Sequence, residues 1–139
     1  HCAMPVVRFA ALMKFFLLLC ASLAGLIAGT VVVDAAPGKK LRHVVSFKFK
    51  ESTTPEEIKK VEEAFVALKK KIPQIAALEW GTNNSPENLN KGFTHCFILT
   101  FKSEKDREIY LPHPEHKKFV EILMPVMADA FVIDYWAKE

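Results

Sequence analysis

The chain has 139 residues, half of them apolar and a quarter charged, with 19 basic against 16 acidic side chains and a net charge of +3. That length suits one domain behind a leader, and a near balance of charge without a basic stripe argues against nucleic acid as a partner. Two of the three cysteines fall in the first 20 residues, so a disulfide framework is excluded as the basis of the fold.

Phe15 to Val33 is an uninterrupted run of 19 uncharged, mostly apolar residues, preceded by Arg8 and Lys14. Val33-Asp34-Ala35 then sets small residues at the two positions a signal peptidase reads. The pattern predicts a leader with a signal peptide over residues 1–35, cleaved after Ala35, with Met13 as a natural start. A periplasmic or secreted product follows, with no membrane association after cleavage. The alternative is an uncleaved membrane anchor, because 19 residues approach the roughly 20 of a spanning helix. Cleavage removes Arg8, Lys14 and Asp34 along with Cys2 and Cys20, which leaves 17 basic and 15 acidic residues and Cys96 as the single thiol.

Residues 36–40 read as a short polar linker, and residues 41–139 as the domain. From Leu41 to Lys50 the chain alternates, with Leu41, His43, Val45, Phe47 and Phe49 on one face, as in a half-buried strand. Thr54-Pro55-Glu56-Glu57 supplies an N-cap, a proline at the first helical position and an acid at the third, the capping box of a helix. Ile58, Val61, Phe65, Leu68 and Ile72 form its inward stripe until Pro73. Ile75 to Thr82 predicts a second strand, residues 83–92 a polar loop, and Phe93 to Lys102 a third strand.

In that third strand His95, Phe97, Leu99 and Phe101 share a face while Cys96 and Ile98 look the other way. A sheet with two apolar faces asks for a second sheet, most simply that of another subunit, so a homodimer is expected. Ser103 caps a further helix to about Leu111, Pro112 and Pro114 break it, and a last amphipathic piece carries Phe119, Ile122, Leu123 and Val126 before a strand from Ala130 to Trp136. The order β-α-β-β-α-β defines an α+β, ferredoxin-like subunit.

The chemistry-bearing residues are Tyr110, His113 and His116 around the proline break, with His43 and His95 on the strands. Imidazoles and a phenol are suited to moving protons on a small carbonyl compound near neutral pH. His116 is the candidate general base and Tyr110 the donor to a developing oxyanion, while His43, His95 and His113 are candidate ligand-binding residues. The first and third strands are expected to be parallel neighbours, placing His43 and His95 side by side, and the four residues His43, His95, Tyr110 and His116 are expected to line one cavity. His113-x-x-His116 by itself is too little for a metal site, and neither a metal nor a cofactor is expected.

Leu41-Arg42-His43-Val44-Val45-Ser46-Phe47-Lys48-Phe49, Gly92-Phe93-Thr94-His95, Tyr110-x-x-His113-Pro114-x-His116 and Ile133-Asp134-Tyr135 together resemble the stress-responsive dimeric α/β-barrel (Dabb) family, in order and across residues 41–136. The resemblance implies a subunit whose sheet packs on its twin to form a dimeric barrel. A plant polyketide cyclase of the family has a pocket tyrosine and a catalytic histidine that would correspond to Tyr110 and His116, with further pocket histidines at His43 and His95. Three functions are therefore expected in turn: an exported Dabb protein binding a small, partly apolar ligand, a cofactor-free cyclase or lyase, and a structural oligomer without ligand.

Overall fold

A computed structural model describes residues 38–138; the expected leader and its cleavage site fall outside the described residues. Among the described residues no helix is long and apolar enough to cross a membrane. The elements are β1 (Leu41–Phe49), α1 (Pro55–Lys71), β2 (Ala77–Thr82), β3 (His95–Phe101), α2 (Glu104–Tyr110), α3 (Pro114–Leu123) and β4 (Met127–Trp136). Four strands form one sheet in the order β2-β3-β1-β4, with every neighbouring pair antiparallel.

The expected parallel pairing of β1 with β3 is thus corrected. A helical crossover returns the chain to run β2 along the direction of β1, and the β2–β3 connection then reverses it, so β3 must oppose β1. The register pairs His43 with Leu99 and His95 with Phe47. Phe47 lies four residues from His43, so the two histidines stand roughly 13 Å apart along the strands, at about 3.3 Å per residue.

Local signals operate as the sequence suggests. Thr54 accepts from the Glu57 amide while the Glu57 carboxylate accepts from the Thr54 amide, and Pro55 opens α1. Val61, Phe65 and Leu68 are buried along α1, and Ile72 beyond it, whereas Ile58 is half-buried. Ser103 caps α2 through the Asp106 amide, and His113 caps α3, its Nδ1 accepting from the Glu115 amide at 3.2 Å. Phe119 and Leu123 point inward from α3, but Ile122 is exposed, since three helical positions cannot all face a narrow contact. The strands β2 and β3 begin two residues later than expected and β4 three residues earlier. At the entry to β3, Lys91 and Gly92 both take positive φ, with Gly92 at 86° where Lys48 packs too close for a β-carbon.

The helices cover one face of the sheet. Between them lies an aromatic core: Phe65 stacks on Phe97 at 4.1 Å, meets Phe119 edge-on at 4.8 Å, and contacts Phe47 at 6.0 Å between ring centres. Each such ring, removed from water, contributes at most about 3 kcal/mol before chain entropy is counted. The other face presents Val44, Cys96 and Ile98, together with Phe131, Ile133 and Tyr135 of β4, which are all about half exposed.

Candidate functional site

Tyr110 ends α2 and is 1% exposed. Its ring lies 4.4 Å from that of His116 in the first turn of α3, 5.8 Å from that of His43 on β1, and 5.2 Å from Phe101. The break at Pro112 and Pro114 makes this possible. A continuous helix would carry His116 nearly two turns past Tyr110, about 9 Å along the axis, whereas the turn Leu111-Pro112-His113 folds the imidazole back over the phenol.

His116 is held by its Nδ1, which donates to the Leu111 carbonyl at 2.9 Å. A carbonyl can only accept, so this bond fixes the proton on Nδ1 and leaves the lone pair on Nε2. Burial lowers the affinity of His116 for a second proton below the ordinary imidazole value; the Leu111 carbonyl works against this, and the neighbouring His43 and His113 reinforce it. Burial also pushes the Tyr110 phenol well above its ordinary range, so it remains a hydrogen-bond donor at neutral pH.

His43 sits beneath the pair, buried, with its Nδ1 donating to Asp134 Oδ1 at 2.6 Å. Asp134 is its partner across the β1–β4 ladder, and the other carboxylate oxygen accepts from Arg107 of α2 at 2.6 Å. At the start of α3, Glu115 binds Lys118 at 2.7 Å and Lys71 of α1 at 2.9 Å, and these hydrogen bonds draw its carboxyl down to about 2. This exposed network joins α3 to the end of α1 and keeps the first turn, with His116, in place.

Three of the four residues expected in one cavity therefore come together: His43, Tyr110 and His116. His95 does not join them. It lies at the other end of the same face, where Nε2 contacts Glu62 of α1 at 2.9 Å and Nδ1 contacts Thr94 at 2.8 Å, with Phe49 edge-on at 5.1 Å and Trp80 parallel at 6.3 Å. Both ring nitrogens are engaged, and Phe47, Phe65, Phe97 and Phe119 fill the space a shared cavity would need. His113 spends its Nδ1 on the helix cap. A groove of about 800 Å³ at this end of the sheet, away from Tyr110, is lined by His95 and Trp80, by Cys96, Ile98 and Phe131 of the uncovered face, and by Phe93 of the β2–β3 loop.

Sequence reasoning gave no role to Asp134, which entered only within the Ile133-Asp134-Tyr135 motif, and did not single out Arg107 or Glu62. Asp134 had a signal: alternation along β4 puts it on the helix face with Val132 and Trp136, an unusual place for an acid without a partner. Arg107 and Glu62 had none, because each is a charged residue on an amphipathic helix.

An antiparallel four-stranded sheet with helices on one face, and a phenol between two Nδ1-anchored imidazoles, defines a ferredoxin-like protein whose site is built from proton-transfer groups. The sequence profile of the stress-responsive A/B barrel domain, Dabb, matches residues 41–137, and the chain belongs to that family. It is 35% identical over 95 residues to the stress-response A/B barrel domain-containing protein HS1 of Arabidopsis thaliana, covering 68% of this chain and 87% of that one. It is 26% identical over 95 residues to the olivetolic acid cyclase of Cannabis sativa, covering 68% and 94%. The hydroxynitrile lyase of Passiflora edulis superposes with a TM-score of 0.69 at 26% identity, covering 74% of this chain and 97% of the lyase. Dimeric proteins are among the solved structures that share the fold.

Proposed function

We propose that this Dabb protein is exported, acts as a homodimer, and transfers a proton on a small, partly apolar carbonyl compound bound beside Tyr110, without a cofactor. The observation that carries the reading is the tautomer of His116: its Nδ1 hydrogen is given to Leu111, and burial favours the neutral ring, so Nε2 is a base next to a phenol that stays protonated. In the reaction Nε2 of His116 takes the hydrogen next to the carbonyl. The C–H electron pair forms the enolate, and the Tyr110 hydroxyl donates to its oxygen. In a hydroxynitrile the same base would take the hydroxyl proton as cyanide leaves and the carbonyl forms. The named activities of the cyclase and lyase relatives support this class of chemistry. The phenylalanine core between His116 and His95 favours a compact substrate over a long chain.

The homodimer is supported by the exposed apolar strip of β4 and the half-buried Val44, Cys96 and Ile98 beside it, a surface of the kind a second sheet covers. Sedimentation at micromolar concentration is expected to give twice the subunit mass. The activity is tested by incubating the protein with a phenyl β-keto ester in D₂O and with an aromatic hydroxynitrile, following α-hydrogen exchange by NMR and aldehyde release by absorbance. Catalysis that vanishes in His116→Ala is the expected result. Rates equal to buffer for both substrates, with no ligand-induced shift of the His116 resonances, would remove the proposal.

A further inference from the structure

Arg107 touches neither Tyr110 nor an imidazole in the hydrogen-bond network, yet it is connected to both. It lies on α2 three residues before Tyr110, and its guanidinium donates to Asp134 Oδ2 at 2.6 Å, while Asp134 Oδ1 accepts from His43 Nδ1 at 2.6 Å. The three groups grade from the interior outward: the His43 side chain is 8% exposed, and those of Asp134 and Arg107 are 25% and 24% exposed. A carboxylate exposed to that degree has water as an alternative partner and a terminal torsion that is broad rather than fixed. A cation on its second oxygen removes both freedoms. The contact also ties α2, and with it the Tyr110 that ends the helix, to the strand that carries the partner of His43.

We propose that Arg107 is a positioning residue of the Tyr110 site: by holding Asp134 it fixes His43 as the Nδ1–H tautomer, so that the Nε2 lone pair of His43 is kept for the ligand. The site then has two imidazoles anchored in the same sense by different groups. His116 is backed by a neutral carbonyl, and His43 by a carboxylate that can stabilise the imidazolium formed when Nε2 accepts a proton. That asymmetry suits a base that abstracts and a second imidazole that relays. The role of Arg107 in catalysis rests on the function proposed above; its hold on the His43 tautomer does not.

The test separates the two. Long-range ¹H–¹⁵N spectra of histidine-labelled full-length protein, recorded where the imidazoles are neutral, report the tautomer of each ring. His43 is expected to be Nδ1–H in the unaltered chain and to become a mixture in Arg107→Ala and Arg107→Gln, with Arg107→Lys closer to the original. In Asp134→Asn the amide oxygen stays with Arg107 and the NH₂ turns to His43, which is expected to become Nε2–H. His116, held by Leu111, is expected to remain Nδ1–H throughout and serves as the internal control. If Asp134→Asn changes the His43 tautomer while Arg107→Ala and Arg107→Gln leave it pure, Arg107 has no positioning role and the inference is overturned. If Asp134→Asn also leaves it unchanged, the whole relay is rejected. With the phenyl β-keto ester, Arg107→Gln is expected to lower kcat about tenfold with KM little changed; an unaltered kcat beside a mixed tautomer would likewise overturn it. Absence of any turnover in the unaltered protein would remove the proposed function and leave the spectroscopic result standing.

Discussion

The covered face of the sheet ends in two buried histidines, each hydrogen-bonded to a carboxylate, and only His43 belongs to the site proposed above. At one end His95 has Glu62 on one nitrogen and Thr94 on the other. At the other end His43 has Asp134 on Nδ1, while the adjacent His116 has the Leu111 carbonyl on its own Nδ1. A histidine–carboxylate pair by itself therefore does not separate the two ends. What differs is the state of the second nitrogen: engaged on both sides the imidazole ties a helix to a strand, and engaged on one side it retains a group with which to take a proton.

This contrast is tested first where the effect is largest. His116→Ala is expected to reduce proton transfer by about 10²- to 10⁴-fold, the ordinary contribution of a general base, while unfolding by urea shifts little. His95→Ala is expected to do the reverse. It strands the Glu62 carboxylate, and because Glu62 keeps 25% of its side chain in water the cost is expected at about 2 kcal/mol, below the roughly 3–5 of a fully buried pair. A loss of turnover in His95→Ala with unchanged stability would erase the distinction between the two ends.

Tyr110→Phe keeps the ring in its aromatic setting and removes the donor. A fall of about 10- to 100-fold in turnover, with stability within about 1 kcal/mol, would place the hydroxyl in the chemistry rather than in the packing.

A smaller effect is expected from pH. Burial holds the affinity of His116 for protons below that of the unfolded chain, so the unfolded state binds more protons between the two values. The stability this provides is complete above the ordinary imidazole value of about 6.5 and is lost as pH falls through the lower folded value. Turnover that depends on the neutral ring is expected to persist to a lower pH than an exposed histidine would allow. In His116→Gln the acid-side stability loss assigned to this group is expected to disappear, measured as the change of the urea midpoint with pH.

The sequence by itself determined the elements and most of the inward faces. The alternation of β1, the Thr54–Glu57 capping box, the apolar stripe of α1 and the break at Pro112 and Pro114 are local patterns with local causes, and each is realised in the structure. Family membership was legible for the same reason, since motifs such as Tyr110-x-x-His113-Pro114-x-His116 are short in sequence. The tertiary structure alone decided which histidines meet. Antiparallel pairing sends His95 to the far end from His43, four phenylalanine rings fill the space between, and the partners that separate a tie from a base, Glu62, Asp134 and the Leu111 carbonyl, come from a helix, a strand and a backbone group. Glu62 and Asp134 lie 33 and 91 residues from their histidines, and the Leu111 carbonyl is a backbone acceptor that every residue carries. Side-chain identity states what a group can donate or accept, but only packing decides which of its atoms remain free to do so.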